Sequence, residues 1–203
     1  MKQAFPYVLT SAPSSSVLAV SVADARTQLK LGTDTDAALD ADLTKIIGAV
    51  TIACEKYIRR DLITRSYTTY RDRLYGDIIL RRNPVQSVTT LKYYKSGTLT
   101  LIASTGYYVT TEPDGFPRIC LVDGQSWPSD VDERQQAIAI EFKCGYGDAA
   151  SSIPAPLGLG MLEHIAQLWT HRGDNDFPGG LAGAAKPPAV ACSLYDKYRI
   201  LEI

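Results

Sequence analysis

Residues 39–72 read LDADLTKIIGAVTIACEKYIRRDLITRSYTTYRD, and a change of period within this stretch decides the fold class. Its first part repeats an apolar residue every three or four positions: Leu39, Leu43, Ile46, Ile47, Val50, Cys54, Tyr57 and Ile58. This spacing predicts an amphipathic helix of about six turns. After Asp61 the period is two, since Tyr67, Thr69 and Arg71 alternate with Thr68, Tyr70 and Asp72. The alternation predicts a strand, so the chain combines helices with a sheet.

The residues before this stretch predict an arm and a short helix. Residues 3–23 carry no charge, and prolines and a serine run interrupt them, so residues 1–20 are interpreted as an extended N-terminal arm rather than a signal peptide. Ser21, with Asp24 three residues later, has the pattern of a helix N-cap. Gly32 is predicted to end this helix, and the cluster Thr33 to Asp36 to cap the next one.

The residues after Asp72 predict a meander of strands followed by two more helices. Closely spaced strands joined by tight turns favour an antiparallel sheet; further strands are predicted at 77–80, 87–94, 107–111, 118–122 and 136–142. A helix is predicted from Leu157 to Trp169, a loop or hinge from Gly173 to Pro188, and a short final helix that carries Leu194, Tyr195, Tyr198 and Arg199.

Together these patterns predict an α+β fold, with a helical core built from an N-terminal helix pair and the C-terminal helices, and an antiparallel sheet inserted between them. The expected division is an arm at 1–20, a connector domain at 21–172, and a flexible loop with a docking helix at 173–203.

Composition narrows the classes of function. Of the 203 residues, 45% are hydrophobic and 21% charged, as in ordinary globular domains. The net charge of -1 argues against a general nucleic-acid binder, and no run of 18 apolar residues predicts a membrane span. Four widely separated cysteines, Cys54, Cys120, Cys144 and Cys192, have no zinc-site spacing and are predicted to be free thiols in a reducing cytoplasm.

The charge is unevenly distributed along the chain. Asp34, Asp36, Asp40 and Asp42 form an acidic stretch, whereas residues 56–82 contain eight Lys or Arg against three Asp, a net charge of +5. Such a basic stretch fits solvated helix ends and strand edges. It also fits a surface that faces a partner or a phosphate group.

Catalytic and metal-binding patterns are weak. His164 and His171 are seven residues apart, whereas two ligands on one helix normally lie three or four apart. The aspartates near Asp34 lack the glycine and the glutamate of a calcium loop, since Lys45 occupies the twelfth position. No nucleotide-binding or nucleophile-elbow motif occurs, and we expect no cofactor. The alternative to a structural protein is a small soluble enzyme or ligand-binding domain with a dispersed polar site near Tyr70, His164 and His171.

The order of several motifs resembles a known family. The relevant segments are Val20–Ala25, Leu29–Leu31, Cys54–Ile58, the run ILRRNPVQSV at 79–88, Tyr93-Tyr94, Ser126–Pro128, Phe142–Gly147, Ile153-Pro154, Trp169 and His171-Arg172. In this order they resemble the head-tail connector, or adaptor, proteins of long-tailed bacteriophages and prophages. Each motif is weak by itself, and the specificity lies in their order over residues 17–201.

The resemblance implies a structural virion protein and not an enzyme. Such connectors assemble into a ring beneath the portal, extend the DNA channel and provide a platform for the next neck or tail protein. The expected partners are therefore other copies of this chain, the portal and a downstream neck protein, with DNA passing through without sequence-specific contacts and without a membrane. The expected location is the virion neck, and the host cytoplasm during assembly.

Two sets of residues follow as candidate contacts. A ring needs two different complementary patches on each copy, and opposite charge suggests Asp34, Asp36 and Asp40 on one side with Arg81 and Arg82 on the other. In the family the C-terminal segment tends to reach the portal, which here implies Leu194, Tyr195, Tyr198 and Arg199. The alternative for the last set is that the terminal helix folds back on its own core.

Overall fold

The computed structural model describes residues 7–12, 17–32, 36–111, 115–172 and 186–201. Within these ranges the chain forms two compact units. One contains the strands and consists of residues 7–12, 64–111 and 115–145, and the other contains the helices and consists of residues 17–32, 36–63, 146–172 and 186–201. Residues 64–145 of the sheet unit thus lie between the two segments of the helical unit, and a strand from before the first helix joins them. Helices combined with antiparallel sheets confirm the predicted α+β class. The predicted division at residues 20 and 172 follows chain order instead and remains a proposal. Residues 173–185, 202 and 203 of its third segment lie outside the described residues.

The helical unit contains four α-helices among its described residues. They are α1 (Val22–Gln28), α2 (Ala37–Ile58), α3 (Ala155–Thr170) and α4 (Ala189–Tyr195), with a 3-10 turn at Asp196–Tyr198. None of them is both long enough and apolar enough to cross a membrane.

Both predicted N-caps are present. The Asp24 backbone N–H donates to the Ser21 hydroxyl at 3.0 Å, and the backbone N–H groups of Ala38 and Leu39 donate to the Asp36 carboxylate at 2.9 and 3.3 Å. These bonds satisfy donors that a helix start leaves without a partner. Helix α1 ends at Gln28, before the predicted Gly32, because Lys30 already adopts a left-handed backbone with φ 55°. Arg59, with φ 59°, ends α2 in the same way.

The core of the helical unit forms where the helices turn their apolar faces together. Leu43, Ile47, Val50, Cys54 and Ile58 are the buried positions of α2, so they keep the predicted helical spacing. From α3, Leu157, Met161 and Ile165 join the same core, as do Ala191 and Tyr195 of α4. Each fully buried aliphatic side chain contributes roughly 1.5–3 kcal/mol relative to exposure, so this shared core holds the four helices together.

The sheet unit contains eight strands among its described residues. They are β1 (Tyr7–Ser11), β2 (Arg65–Arg71), β3 (Ile78–Ile79), β4 (Val85–Lys95), β5 (Thr98–Leu101), β6 (Tyr107–Val109), β7 (Arg118–Leu121) and β8 (Ile138–Cys144). All pairings between named strands are antiparallel, as predicted. Two strands, β1 and β5, were not predicted. Strand β1 lies in the segment interpreted as an arm, and β5 lies directly after the Ser96-Gly97 turn, where no strand was predicted before residue 107.

The strands form two sheets. The larger has the order β1-β2-β8-β4-β5 and the smaller has the order β3-β7-β6. Strand β8 lies at the centre of the larger sheet, and its residues Ile138, Ile140, Phe142 and Cys144 are buried. With Tyr67 of β2 and Leu91 of β4 they form a second hydrophobic core. The order leaves β1 and β5 as the two outer strands of the larger sheet.

Candidate interaction surfaces

The C-terminal segment folds back on the helical unit. Tyr195 is 0% exposed, and its ring fills the space above Gly160, where an added Cβ would lie 2.5 Å from a ring carbon. Burial raises the pKa of the Tyr195 hydroxyl and also that of the Cys54 thiol, which reaches about 12. Tyr195 is therefore a core residue of its own protomer, which fits the fold-back alternative for this residue.

Several polar contacts fix the residues after Tyr195 to the end of α2. The Tyr57 hydroxyl donates to the Asp196 carboxylate at 2.7 Å, and this hydrogen bond, with burial, raises the pKa of Tyr57 to about 12. The Arg60 Nε donates to the Tyr198 carbonyl at 2.6 Å, and the Arg199 guanidinium lies 4.9 Å from the centre of the Tyr57 ring. These contacts attach residues 196–199 to the end of α2.

The four residues expected to dock on the portal are therefore not equivalent. Leu194 and Tyr198 are half-buried and Arg199 is exposed, whereas Tyr195 is enclosed. The predicted final helix is also shorter than expected, because α4 ends at Tyr195, Tyr198 lies in the 3-10 turn, and Arg199 is extended. The surface that the segment offers to a partner consists of Leu194, Tyr198 and Arg199.

The charged residues expected at a ring interface already have contacts within the protomer. Asp36 caps α2, and Asp40 is bound by the Arg26 guanidinium. The backbone N–H of Arg81 donates to the Tyr7 hydroxyl at 2.8 Å, and the Arg82 guanidinium lies 4.6 Å from the centre of the Tyr67 ring. Asp34 lies outside the described residues. The side chains of Asp36, Asp40 and Arg82 thus already have contacts within the protomer, and their role between copies stays a prediction.

The alternative of an enzyme with a polar site near the histidines finds no support. His164 is 1% exposed in the helical core, and His171 lies directly after α3, where its backbone N–H donates to the Gln167 carbonyl at 3.1 Å. Tyr70 belongs to β2 in the other unit. No group of three or more metal-ligating side chains occurs among the described residues. The buried His164 is part of a packed helix face, so the described residues offer no observation in favour of the dispersed site.

A shallow groove of about 680 Å³ in the sheet unit contains charged groups of both signs. These groups tie loops together. The Asp132 carboxylate accepts from the backbone N–H groups of Ser96 and Gly97, both at 2.7 Å, and the Asp72 carboxylate accepts from that of Gln136 at 2.8 Å. The Arg134 guanidinium lies 4.0 Å from the centre of the Tyr94 ring. The groove is a product of loop structure rather than a set of groups aimed at a ligand.

Comparison with solved structures gives matches along nearly the whole chain. A chain in the neck of an empty gene transfer agent (GTA) particle, computed with C6 symmetry, is 24% identical and superposes with a TM-score of 0.76, covering 98% of this chain and 97% of that one. A chain in the virion of a native GTA particle is 26% identical with a TM-score of 0.75, covering 97% and 96%. The chain shares the fold of phage-like neck proteins.

A third match supports the same neck-protein fold. It is a chain in the neck of a native GTA particle computed with C12 symmetry, with 25% identity, a TM-score of 0.68 and coverage of 98% and 97%. No protein-family model and no curated protein matches the sequence. The predicted resemblance to head-tail connectors is thus confirmed by structure, and the match extends over both units of the neck-protein fold.

Sequence reasoning missed two features of these surfaces. The contacts of Tyr57 with Asp196 and Arg199 join residues about 140 positions apart, and no local pattern indicates them. The outer strands β1 and β5 are also exposed and free of charge. For β5 a signal was present, because the sequence TLTL after a Ser-Gly turn alternates as a hairpin strand does.

Proposed function

We propose that this chain is a structural component of the neck of a phage-like particle, where copies form a ring that surrounds the DNA channel between head and tail. The observation that carries the proposal is the match to the GTA neck over 98% of this chain. A match of this extent includes both units, so it is not the sharing of one common motif. The C6 and C12 symmetries of the matched necks support an oligomeric ring.

The finer assignments are also proposals. The chain would bind the portal above it through Leu194, Tyr198 and Arg199, and a downstream neck or tail protein below it. A half-buried tyrosine and an exposed arginine on one segment are residue types that anchor interfaces. Asp36 and Asp40 would pair with Arg81 and Arg82 of a neighbouring copy. Such pairing would guide association more than it would add affinity.

DNA would pass through the ring without sequence readout. The net charge of -1 supports this, because a strongly basic channel would hold the duplex by many phosphate contacts. A structural role also accounts for the charged groups of the groove in the sheet unit, since Asp72 and Asp132 accept hydrogen bonds from backbone N–H groups of loops in the same unit. We infer that the chain works by position and assembly and not by turnover.

Deleting the gene for this chain in a particle-producing strain tests the proposal. Electron microscopy of the lysate should show heads and tails that are not joined, and a plasmid copy should restore joined particles. Particles that remain joined and infectious, or able to transfer DNA, would refute the neck role. Labelling the plasmid copy with a small fused domain should place extra density at the head-tail junction.

A further inference from the structure

We propose that β1 and β5, the two open edges of the five-stranded sheet, pair with each other between neighbouring copies of this chain without the help of another protein. The sheet would then continue from one copy into the next. The inference rests on the proposed ring and identifies the surface through which copies join.

The strand order supplies the geometry. In the order β1-β2-β8-β4-β5 the two outer strands lie at opposite ends of one sheet. A ring of identical copies needs a heterologous interface, in which one patch binds a different patch on the next copy. The two edges of an open sheet meet this requirement. In the part of the chain that the structure describes, each has one neighbouring strand, which leaves a row of backbone N–H and C=O groups available.

The side chains of both edges favour a sheet partner. Strand β1 reads YVLTS and β5 reads TLTL, without a charge or a proline. Val8 and Leu9 are 47% and 49% exposed, and Leu99 and Leu101 are 43% and 61% exposed. Open edges in soluble proteins are normally protected by lysine, proline or short length. Two uncharged edges with exposed apolar side chains match each other and do not match a nucleic acid or a charged peptide.

The register places Val8, Leu99 and Leu101 on a common face, whereas Leu9 projects from the other face. Directly opposed residues in a sheet project to the same side, as do residues two apart on one strand. Val8 lies opposite Thr68, Thr68 lies opposite Glu141, and Glu141 lies opposite Thr90. Lys92 is two residues after Thr90 on the same strand and lies opposite Leu101. Because Val8 and Leu101 share a face, pairing β1 of one copy with β5 of the next would bring them into one apolar contact about 4.8 Å across.

The smaller sheet is a poorer candidate. Its edges β3 and β6 have two and three residues, and short edge strands are themselves a form of protection. Charged groups lie beside them, since Arg118 of β7 is 3.9 Å from the Asp77 carboxylate, next to β3. A register shift between Leu9 and Ser11 limits the regular part of β1 to three residues, so the proposed contact is short and adds to other contacts in a ring.

Two blocked-edge variants test the proposal. The first carries Val8→Lys with Leu9→Lys, and the second carries Leu99→Lys with Leu101→Lys. A matched control carries two lysines away from these edges, as Tyr75→Lys with Val122→Lys, at side chains 70% and 39% exposed. Analytical ultracentrifugation over a range of protein concentrations measures the mass of each.

We expect the wild type and the control to associate as concentration rises, and each blocked variant to remain at the protomer mass of 22.1 kDa. A 1:1 mixture of the two blocked variants should form a species of twice that mass and stop there, because each copy keeps one usable edge. This mixing result is specific to β1-β5 pairing. If a double variant loses its far-UV circular dichroism spectrum, the single changes Val8→Lys and Leu101→Lys replace it, since each alters a half-exposed side chain.

Several results would overturn the inference. One is a wild-type chain that stays monomeric up to about 1 mM, a concentration at which even an association of about -4 kcal/mol is half complete. Another is association of both blocked variants as in the wild type, and a third is association of only the β5-blocked variant, which indicates β1-β1 pairing. Blocked variants that still form rings in particle necks would reject the edge pairing and leave the proposed function intact. A wild-type chain absent from necks would reject the proposed function.

Discussion

The substitution Gly160→Ala tests the fold-back of the C-terminal segment, because Gly160 is the point where α3 meets the ring of Tyr195. An added Cβ would lie 2.5, 3.1 and 3.2 Å from three ring carbons of Tyr195. The ring is fully buried in the helical core, so moving it away from the new methyl group would disturb the residues packed around it. Gly158, two residues earlier on the same helix, has no heavy atom within 4 Å of the same position. Gly158→Ala is therefore the matched control.

The expected magnitudes follow from two opposing effects. Replacing glycine by alanine inside a helix gains about 1 kcal/mol of helix propensity, and this gain applies to both positions. Inserting a methyl group into a filled core costs about 1–3 kcal/mol, and this cost applies only at Gly160. We expect Gly158→Ala to raise the free energy of unfolding by up to about 1 kcal/mol. Gly160→Ala should then be less stable than Gly158→Ala by about 1–3 kcal/mol.

Urea denaturation followed by circular dichroism measures the difference, and Tyr195→Ala provides a third comparison. Removing the ring should itself cost about 3–5 kcal/mol, since the side chain is buried. In the Tyr195→Ala background, Gly160→Ala should become as favourable as Gly158→Ala. Gly160→Ala and Tyr195→Ala should therefore show a coupling energy. Equal stability of Gly158→Ala and Gly160→Ala in the wild-type background would refute the close contact between α3 and Tyr195.

Four further predictions concern assembly and chemistry. The double charge reversal Arg81→Glu with Arg82→Glu should weaken self-association roughly tenfold, or about 1.4 kcal/mol, with a reduced dependence on salt in sedimentation experiments; unchanged association would reject the charge pairing. Arg199→Ala should weaken portal binding in a pull-down by about 1–2 kcal/mol while the melting temperature hardly changes, and equal binding would remove this residue from the docking surface. Burial of Cys54 should make the free energy of unfolding fall as pH rises from about 9 to about 12, by up to about 1.4 kcal/mol per pH unit. The reason is that the thiol releases its proton near 9.0 in the unfolded chain and only near 12 in the folded one. If the free energy of unfolding of Cys54→Ala has the same slope against pH as that of the wild type, this prediction is contradicted. A thiol reagent should modify half-buried Cys192 before Cys54, which is 0% exposed. Mass spectrometry of peptides measures the order, and modification of Cys54 first would contradict the prediction.

Local patterns predicted most of the individual elements. The period of 3.6 located α2, and Ser21 and Asp36 marked helix starts, because capping depends on residues within one turn. Alternation located β2 for a similar reason, and the close spacing of turn residues placed further strands at β7 and β8. The inserted arrangement of sheet and helices also followed from element order, since the strand region lies between two helical regions of the chain.

The pairing of the strands could not be predicted in the same way. Strand β1 pairs with β2 across more than 50 residues, and β8 lies between β2 and β4, which are both remote from it in sequence. Such pairings depend on how residues from distant parts of the chain pack together in the core, and a short window of sequence does not contain that information. The burial of Tyr195 was open for the same reason, because a tyrosine on a short helix suits an interface and a core equally well. Gly160 on α3 makes room for the Tyr195 ring and so indicates a core position, but this contact is known only when the positions of α3 and α4 are known.

The native mass of the purified chain, alone and mixed with its cognate portal, tests the neck role most directly. Size exclusion with light scattering should show either a ring, or a 22.1 kDa protomer that joins the portal as a ring of several copies. Both results would agree with a component that works by assembly beneath the portal. A strict monomer that elutes separately from the portal at every ratio would contradict the account.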